Sequence, residues 1–338
     1  MGLHGVVNET PFSVLVATTG RGIERAKRRD VGWEIDRHLV DLDVRTLAGV
    51  DRTVLAGTQG VGLRRSDDAG GSWERSGLDD KIVKSLSFCA AHPEVVYAGT
   101  KPPHVYRSED VGRTWRELES FRDIRGRSVW RQPAERPSTA YVQALACSPR
   151  DSDVVVAGME AGAVVRTDDG GRTWSQHLKG SCRDCHTLAF HPDGEHVFEG
   201  GGGMMAPGVA MSGDRGRTWQ RPSDDLDMKY GWAVAADPAR PDRVYISLSP
   251  GPMRAHSSDN AQAGIFRREG DEPWHLLEGG LPKPLDHMPY ALLTHSQTPD
   301  YVLAGLSNGE MWETDDAGEN WRRLDTAFTS IHRDLVGL

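Results

Sequence analysis

Apolar and polar positions alternate along this chain in short runs broken by Gly, Pro and Asp. Alternating runs such as KSLSFCAAHP from Lys84, QALACSPRD from Gln143, HTLAFHPDG from His186 and WAVAADPAR from Trp232 each open a unit. A β-branched run follows, ending in Gly or Ser: VVYAGT, VVVAGM, RVYISLS or YVLAGL. A third run (HVYRS, AVVRT, GIFRR, EMWET) leads into a polar turn, and a Trp opens a fourth (TWREL, NWRRL). Period-2 alternation with this punctuation predicts four short antiparallel strands per unit.

The turn between the third and fourth runs is itself repeated. SDDAGGSW (Ser66 to Trp73), SEDVGRTW (Ser108 to Trp115), TDDGGRTW (Thr167 to Trp174), SGDRGRTW (Ser212 to Trp219) and TDDAGENW (Thr314 to Trp321) share hydroxyl, x, acid, x, Gly, x, x, Trp. Decayed copies end at Trp33 and Trp274, and the seven tryptophans recur 40 to 59 residues apart. Repeats of that period carrying four strands predict an all-β, seven-bladed β-propeller of four-stranded antiparallel blades. The first unit lacks an inner strand, and the chain ends in SIHRDLVGL, an inner strand without a blade. Pairing the two would complete blade one and remove an open edge. One domain over 1–338 is therefore expected, with blades near 11–36 plus 329–338, 42–75, 81–118, 140–177, 184–221, 229–277 and 287–324.

These turns resemble the Asp-box (BNR) repeat of sialidases, xyloglucanases, sortilin-type receptors and photosystem II assembly factors. The resemblance spans nearly the whole chain. It implies the propeller fold but not one function, because those relatives include enzymes, receptors and assembly factors. The box carboxylates Asp68, Asp110, Asp169, Asp214 and Asp316 read as structural acceptors for turn amides rather than as calcium ligands or catalysts.

Composition narrows the picture. Forty Lys+Arg against 49 Asp+Glu give a formal charge of −9, which argues against a duplex-binding surface. No apolar stretch is long enough for a membrane helix. The N-terminal residues lack the basic region of a signal peptide, so a cytoplasmic location is expected. Four cysteines are too few for a disulfide scaffold. CRDCH, Cys182 to His186, matches a haem c attachment pattern. That reading is set aside, because His186 is accounted for by its strand position.

The boxes mark one face of the propeller, and long insertions mark the other: Glu119 to Ala140, Pro250 to Ala263, and the glycine run from Gly200. Aligning inner strands on their first apolar residue gives a column at the channel mouth: Arg45, Lys84, Gln143, His186, Trp232, Tyr290 and Arg333. Two positions earlier lie Asp43, Ile82, Tyr141, Asp184, Tyr230, Met288 and Ile331. The first column holds three cations, one histidine and two aromatics, with no carboxylate. Such a set predicts a concave site for a small polar, anionic or carbohydrate-like ligand. His332, Trp130, Arg131 and Arg254 are further candidate ligand-binding residues. His186, His287, Asp184, Tyr230 and Tyr290 are candidate catalytic groups. His186, His287 and His332 are candidate ligands for a metal ion at the mouth.

The expected function is binding at this mouth, extending to glycoside hydrolase- or lyase-like chemistry. The alternatives are a non-catalytic scaffold for a protein partner and a His-coordinated metal-dependent enzyme. No Phe/Tyr-Arg-Ile-Pro motif precedes the first box, which argues against a classical sialidase. The xyloglucanases work in a cleft between two propellers, where this chain predicts one.

Overall fold

The computed structural model describes residues 13–18, 20–30, 32–132, 136–202, 208–222, 226–326 and 328–338. Most of the glycine run from Gly200, residues 133–135 of the Glu119–Ala140 insertion and residues 1–12 lie outside these residues. The strands are β1 (Val14–Ala17), β2 (Ile23–Arg28) and β3 (Trp33–His38), then β4 (Val44–Val50), β5 (Thr53–Thr58), β6 (Leu63–Ser66) and β7 (Glu74–Arg75). Next come β8 (Ile82–Cys89), β9 (His92–Lys101), β10 (Val105–Ser108) and β11 (Arg116–Glu117), followed by β12 (Tyr141–Ser148), β13 (Asp151–Glu160) and β14 (Val164–Thr167). β15 (Asp184–Phe190), β16 (Val197–Gly202) and β17 (Val209–Ser212) precede β18 (Tyr230–Ala236), β19 (Arg243–Ser249), β20 (Gly264–Glu269) and β21 (His275–Leu276). The last are β22 (Pro289–His295), β23 (Thr298–Leu306), β24 (Met311–Thr314), β25 (Arg322–Arg323) and β26 (Leu335–Gly337).

The all-β propeller with antiparallel, mostly four-stranded blades is as the repeats predict. The expectation of seven separate four-stranded blades is corrected. Among the described residues there are five discrete blades, four of four strands and one of three, plus one seven-stranded sheet. The wide sheet forms because β16 pairs with β18 through Gly202 and Tyr230, joining two sequence units into one hydrogen-bonded surface. The three-stranded blade β12–β14 has no fourth strand after its box. The ring closes by pairing of the terminal strands, Val14 opposite Gly337 and Val16 opposite Leu335. Inner strands pack in succession around the axis: β4 on β8, β8 on β12, β12 on β15, β15 on β18, β18 on β22, β22 on β26 and β26 on β4.

Close approach between neighbouring units explains the glycine near the end of those β-branched runs that carry one. A Cβ on Gly57 would lie 2.6 Å from Thr46 Cγ2 and 2.8 Å from Val83 Cγ1 of the next inner strand. One on Gly158 would overlap the Cys185 sulfur and lie 2.7 Å from its Cβ. Between the sheets sit separate apolar clusters, such as Val142, Val155, Phe121 and Trp130 in one and Tyr245, Ile265, Val302 and Trp312 in another.

The box turns are hydrogen-bonded alike. In the third, Thr167 Oγ1 and the Thr173 amide donate to Asp169 Oδ1 at 2.8 and 2.9 Å, and Thr173 Oγ1 donates to Oδ2 at 2.6 Å. Asp316 repeats the set with Thr314 and Asn320. The Trp indoles of four boxes donate to the glycine carbonyl three residues back, for example Trp219 to Gly216 at 3.0 Å. Trp174 instead meets Phe121 edge-on at 5.1 Å.

These bonds hold the box carboxylates below the usual range. For Asp110 and Asp169 burial opposes the shift, but the Thr hydroxyl and amide donors outweigh it and bring each to about 2. A depressed carboxylate stabilises the fold above its unfolded value, near 3.9, and loses that contribution as pH falls through its folded value. The urea midpoint is therefore expected to be level near neutrality and to fall between about pH 4 and pH 2. Asp169→Ala is expected to cost about 2 kcal/mol at pH 7 and to flatten that acid slope, as read by urea denaturation at both pH values.

No helix among the described residues is long and apolar enough to cross a membrane.

Candidate functional site

Each inner strand begins at the same end of the channel, so the residues aligned by sequence should meet there. Most do. Arg45, Lys84, Tyr141, Gln143, Trp232, His256, Tyr290, His332 and Arg333 line one cavity of about 200 Å³. No carboxylate is among these residues. A larger opening of about 830 Å³ lies at the opposite end of the inner strands, against Ala236, His295 and Leu338. It gathers neither cations nor aromatics of comparable density.

The cations are held by distinct partners. Lys84 is buried, its ammonium 4.3 Å over the Tyr141 ring. Arg333 precedes β26 and reaches across the channel to β12, where Nη1 donates to Gln143 Oε1 at 2.8 Å and Nη2 to the Gln143 carbonyl. It therefore forms a floor to the cavity. Arg45 is anchored by Asp43 at 2.5 Å, and that carboxylate also accepts the Gly20 amide.

The aromatic side of the cavity is a hydrogen-bonded chain. Tyr290 donates to the Ala255 carbonyl at 3.1 Å, so its oxygen accepts from His256 Nδ1 at 2.6 Å. His256 Nε2 is then the acceptor for Tyr230, at 2.8 Å. Burial, reinforced by repulsion from His186, lowers the His256 pKa and keeps the ring neutral, as this pattern requires. Burial raises both tyrosines above their ordinary value, so both hydroxyls remain protonated. Trp232 packs edge-on to Tyr290 at 4.9 Å and stacks on His186 at 4.5 Å.

His186 lies behind Trp232 rather than in the cavity wall. Its Nδ1 faces the Gly231 carbonyl at 2.6 Å, and its Nε2 faces Asp184 at 3.6 Å and Glu160 at 4.0 Å. Burial raises Glu160 to about 6, opposed by His186. Asp184 is lowered, since His186 and the Ala161 amide outweigh its burial. His186 is raised, since Asp184 and Glu160 outweigh the opposite effect of burial.

Other predicted positions fall elsewhere. Trp130 is a core residue against Phe121. Arg131 is exposed and donates to the Ser128 and Trp130 carbonyls. Arg254 is exposed on the short helix Pro252–Ala255. His287 is half-buried ahead of β22, with Nδ1 lacking a hydrogen-bond partner. The three histidines considered for a metal do not converge. Among the described residues the cluster with metal-ligand spacing is Glu160, Asp184 and His186. Cys182 and Cys185 are fully buried free thiols beside Leu188 and Val197.

Glu160 and His256 are the residues that inner-strand alignment missed. Glu160 ends β13 directly opposite Tyr141. Aligning second strands on their glycine, so that Gln59, Lys101, Glu160 and Gly202 two residues later correspond, shows it as the acid of that column. His256 lies in the Pro250–Ala263 insertion, which carries no repeat register.

No family model matches the chain, and no curated protein matches it in sequence. Solved structures do. A glycoside hydrolase family GH74 enzyme from Niastella koreensis superposes with a TM-score of 0.66 at 13% identity, over 92% of this chain and 46% of that one. The GH74 xyloglucanase from Xanthomonas campestris gives 0.62 at 17%, over 93% and 47%. YCF48 bound to a D1 peptide gives 0.58 at 16%, over 94% and 85%. The chain spans under half the length of these GH74 enzymes, and at such identities the likeness is one of fold. The chain shares the β-propeller architecture of the GH74 xyloglucanases and of YCF48.

Proposed function

We propose that this chain binds a small anionic, ring-bearing ligand, a sugar acid or chemically similar molecule, in the cavity at the channel mouth. One observation carries the reading: Arg45, Lys84 and Arg333 face the same 200 Å³ space as Tyr141, Trp232 and Tyr290, with no acid in the wall. Fixed cations in a low-dielectric recess favour a carboxylate, and aromatic faces cover the apolar face of a ring. A broad protein-docking surface does not need buried cations at the bottom of a hollow.

Calorimetric titration with glucuronate, galacturonate and N-acetylneuraminate, against glucose and galactose, tests it. One anionic member is expected to bind saturably, one per chain, and Trp232→Ala to weaken it about 20-fold. If only the neutral sugars bind, or Trp232→Ala binds as well as the parent, the reading fails.

The Tyr230–His256–Tyr290 chain favours a catalytic reading over passive binding. A two-carboxylate hydrolase would need acids in the wall, and none lines it. Lyase chemistry fits the groups present: cations neutralise a sugar carboxylate and make the adjacent C5–H more acidic, a neutral histidine or a tyrosine takes up that proton as the C4–O bond breaks and C4=C5 forms, and a tyrosine hydroxyl protonates the departing oxygen. Oligogalacturonides should then yield a conjugated unsaturated product, followed by ultraviolet absorbance, with Tyr290→Phe slowed about 100-fold. Turnover undiminished in Tyr290→Phe removes the tyrosine from that role.

A further inference from the structure

Behind Trp232, three side chains each turn one atom toward a common point. Glu160 ends β13, while Asp184 and His186 lie on β15. His186 Nε2 is 3.6 Å from Asp184 Oδ2 and 4.0 Å from Glu160 Oε2, and one ligand atom from each residue lies within 4.8 Å of the others. The other atom of each group is already fixed. The Gly231 carbonyl faces His186 Nδ1 at 2.6 Å, which fixes a proton there and turns Nε2 toward the two carboxylates, where a metal would displace any proton it carries. Gln132 donates to Glu160 Oε1 at 2.7 Å, and the Ala161 amide to Asp184 Oδ1 at 3.1 Å. Outer contacts of this kind orient ligands around a metal.

The inward atoms are not satisfied in the same way. His186 Nε2 and Glu160 Oε2 are buried without a hydrogen-bond partner, and a buried polar atom left so is costly. A bound cation would satisfy both at once.

We infer that Glu160, Asp184 and His186 form a binding site for one divalent first-row transition-metal ion. One imidazole nitrogen and two carboxylate oxygens suit zinc, manganese or iron. Ligands about 2.1 Å from a tetrahedral ion lie ~3.4 Å apart, so small side-chain rotations close the observed spacing. Lys84 and Arg333 act electrostatically on Glu160 from the cavity side. Their charge disfavours an ion held by attraction alone and selects one making short, directional bonds. This site stands on its own geometry, independent of the ligand assigned to the cavity.

The test uses the full chain after chelator treatment, titrated with Zn²⁺ by calorimetry and with Co²⁺ by visible absorption. One ion per chain is expected, with Glu160→Gln and His186→Gln each weakening it at least 30-fold. Circular dichroism identifies which variants are folded. Asp184 is the least buried of the three, its side chain 36% exposed, so Asp184→Asn decides the matter if the other two do not fold. Absence of saturable one-per-chain binding, or parental affinity in the folded variants, overturns the site. Because the probe is the metal alone, that failure leaves the sugar-acid reading standing.

Discussion

Lys84→Met combined with Arg333→Met is expected to reduce affinity for the preferred sugar acid about a thousandfold, or ~4 kcal/mol. Both cations are held before ligand arrives: Lys84 is 2% exposed over Tyr141, and Arg333 spans the channel to Gln143. Little side-chain ordering therefore remains for binding, and most of the attraction reaches the ligand. Met keeps most of the apolar stem of each side chain and removes the charged head, the ammonium at Lys84 and the guanidinium floor at Arg333. Affinity for the neutral parent sugar should change far less. Calorimetry on both ligands separates these effects, and equal losses for acid and neutral sugar would sink the electrostatic reading.

The second large effect is on folding. Gly158→Val is expected to cost about 3 kcal/mol or more, through overpacking between β13 and β15. Any Cβ at 158 meets the sulfur of Cys185, which is itself completely buried. The sulfur has nowhere to go, because Val156, Leu188 and Val197 already fill the cluster. A paired Cys185→Ala substitution should recover part of the loss, since removing the sulfur opens room for the added carbon. Urea denaturation of both variants decides it; a single variant as stable as the parent would show that the two strands can separate cheaply.

The same repeats that built the fold also made half of the site legible. A strand start has a fixed position relative to its first buried residue, so seven strand starts could be superimposed without knowing their coordinates. That is why Arg45, Lys84, Gln143, Trp232, Tyr290 and Arg333 were found together. Trp130 failed for the opposite reason. Its insertion has no register, and an apolar ring in such a segment is drawn into the nearest core, here beside Phe121. His256 lay in an unregistered insertion too, but its two ring nitrogens found the Tyr230 and Tyr290 hydroxyls. The blade count was misread because the joining of two units rests on one backbone pair, Gly202 with Tyr230. Backbone pairing at a sheet edge leaves no side-chain pattern to read. The split between Glu160 and Asp184 was equally hidden, since it depends on burial and on which donors each carboxylate meets.

Arg333 lies two residues before β26 (Leu335–Gly337), the strand that closes the ring against β1. Ribosomal synthesis delivers it after all the other lining residues, so the cavity has no floor until the ring has shut. Ligand and closure are consequently coupled: a molecule resting on Arg333 favours the shut ring, and opening the ring expels it. The mouth of this protein would then act as a latch, fastened by whatever it holds.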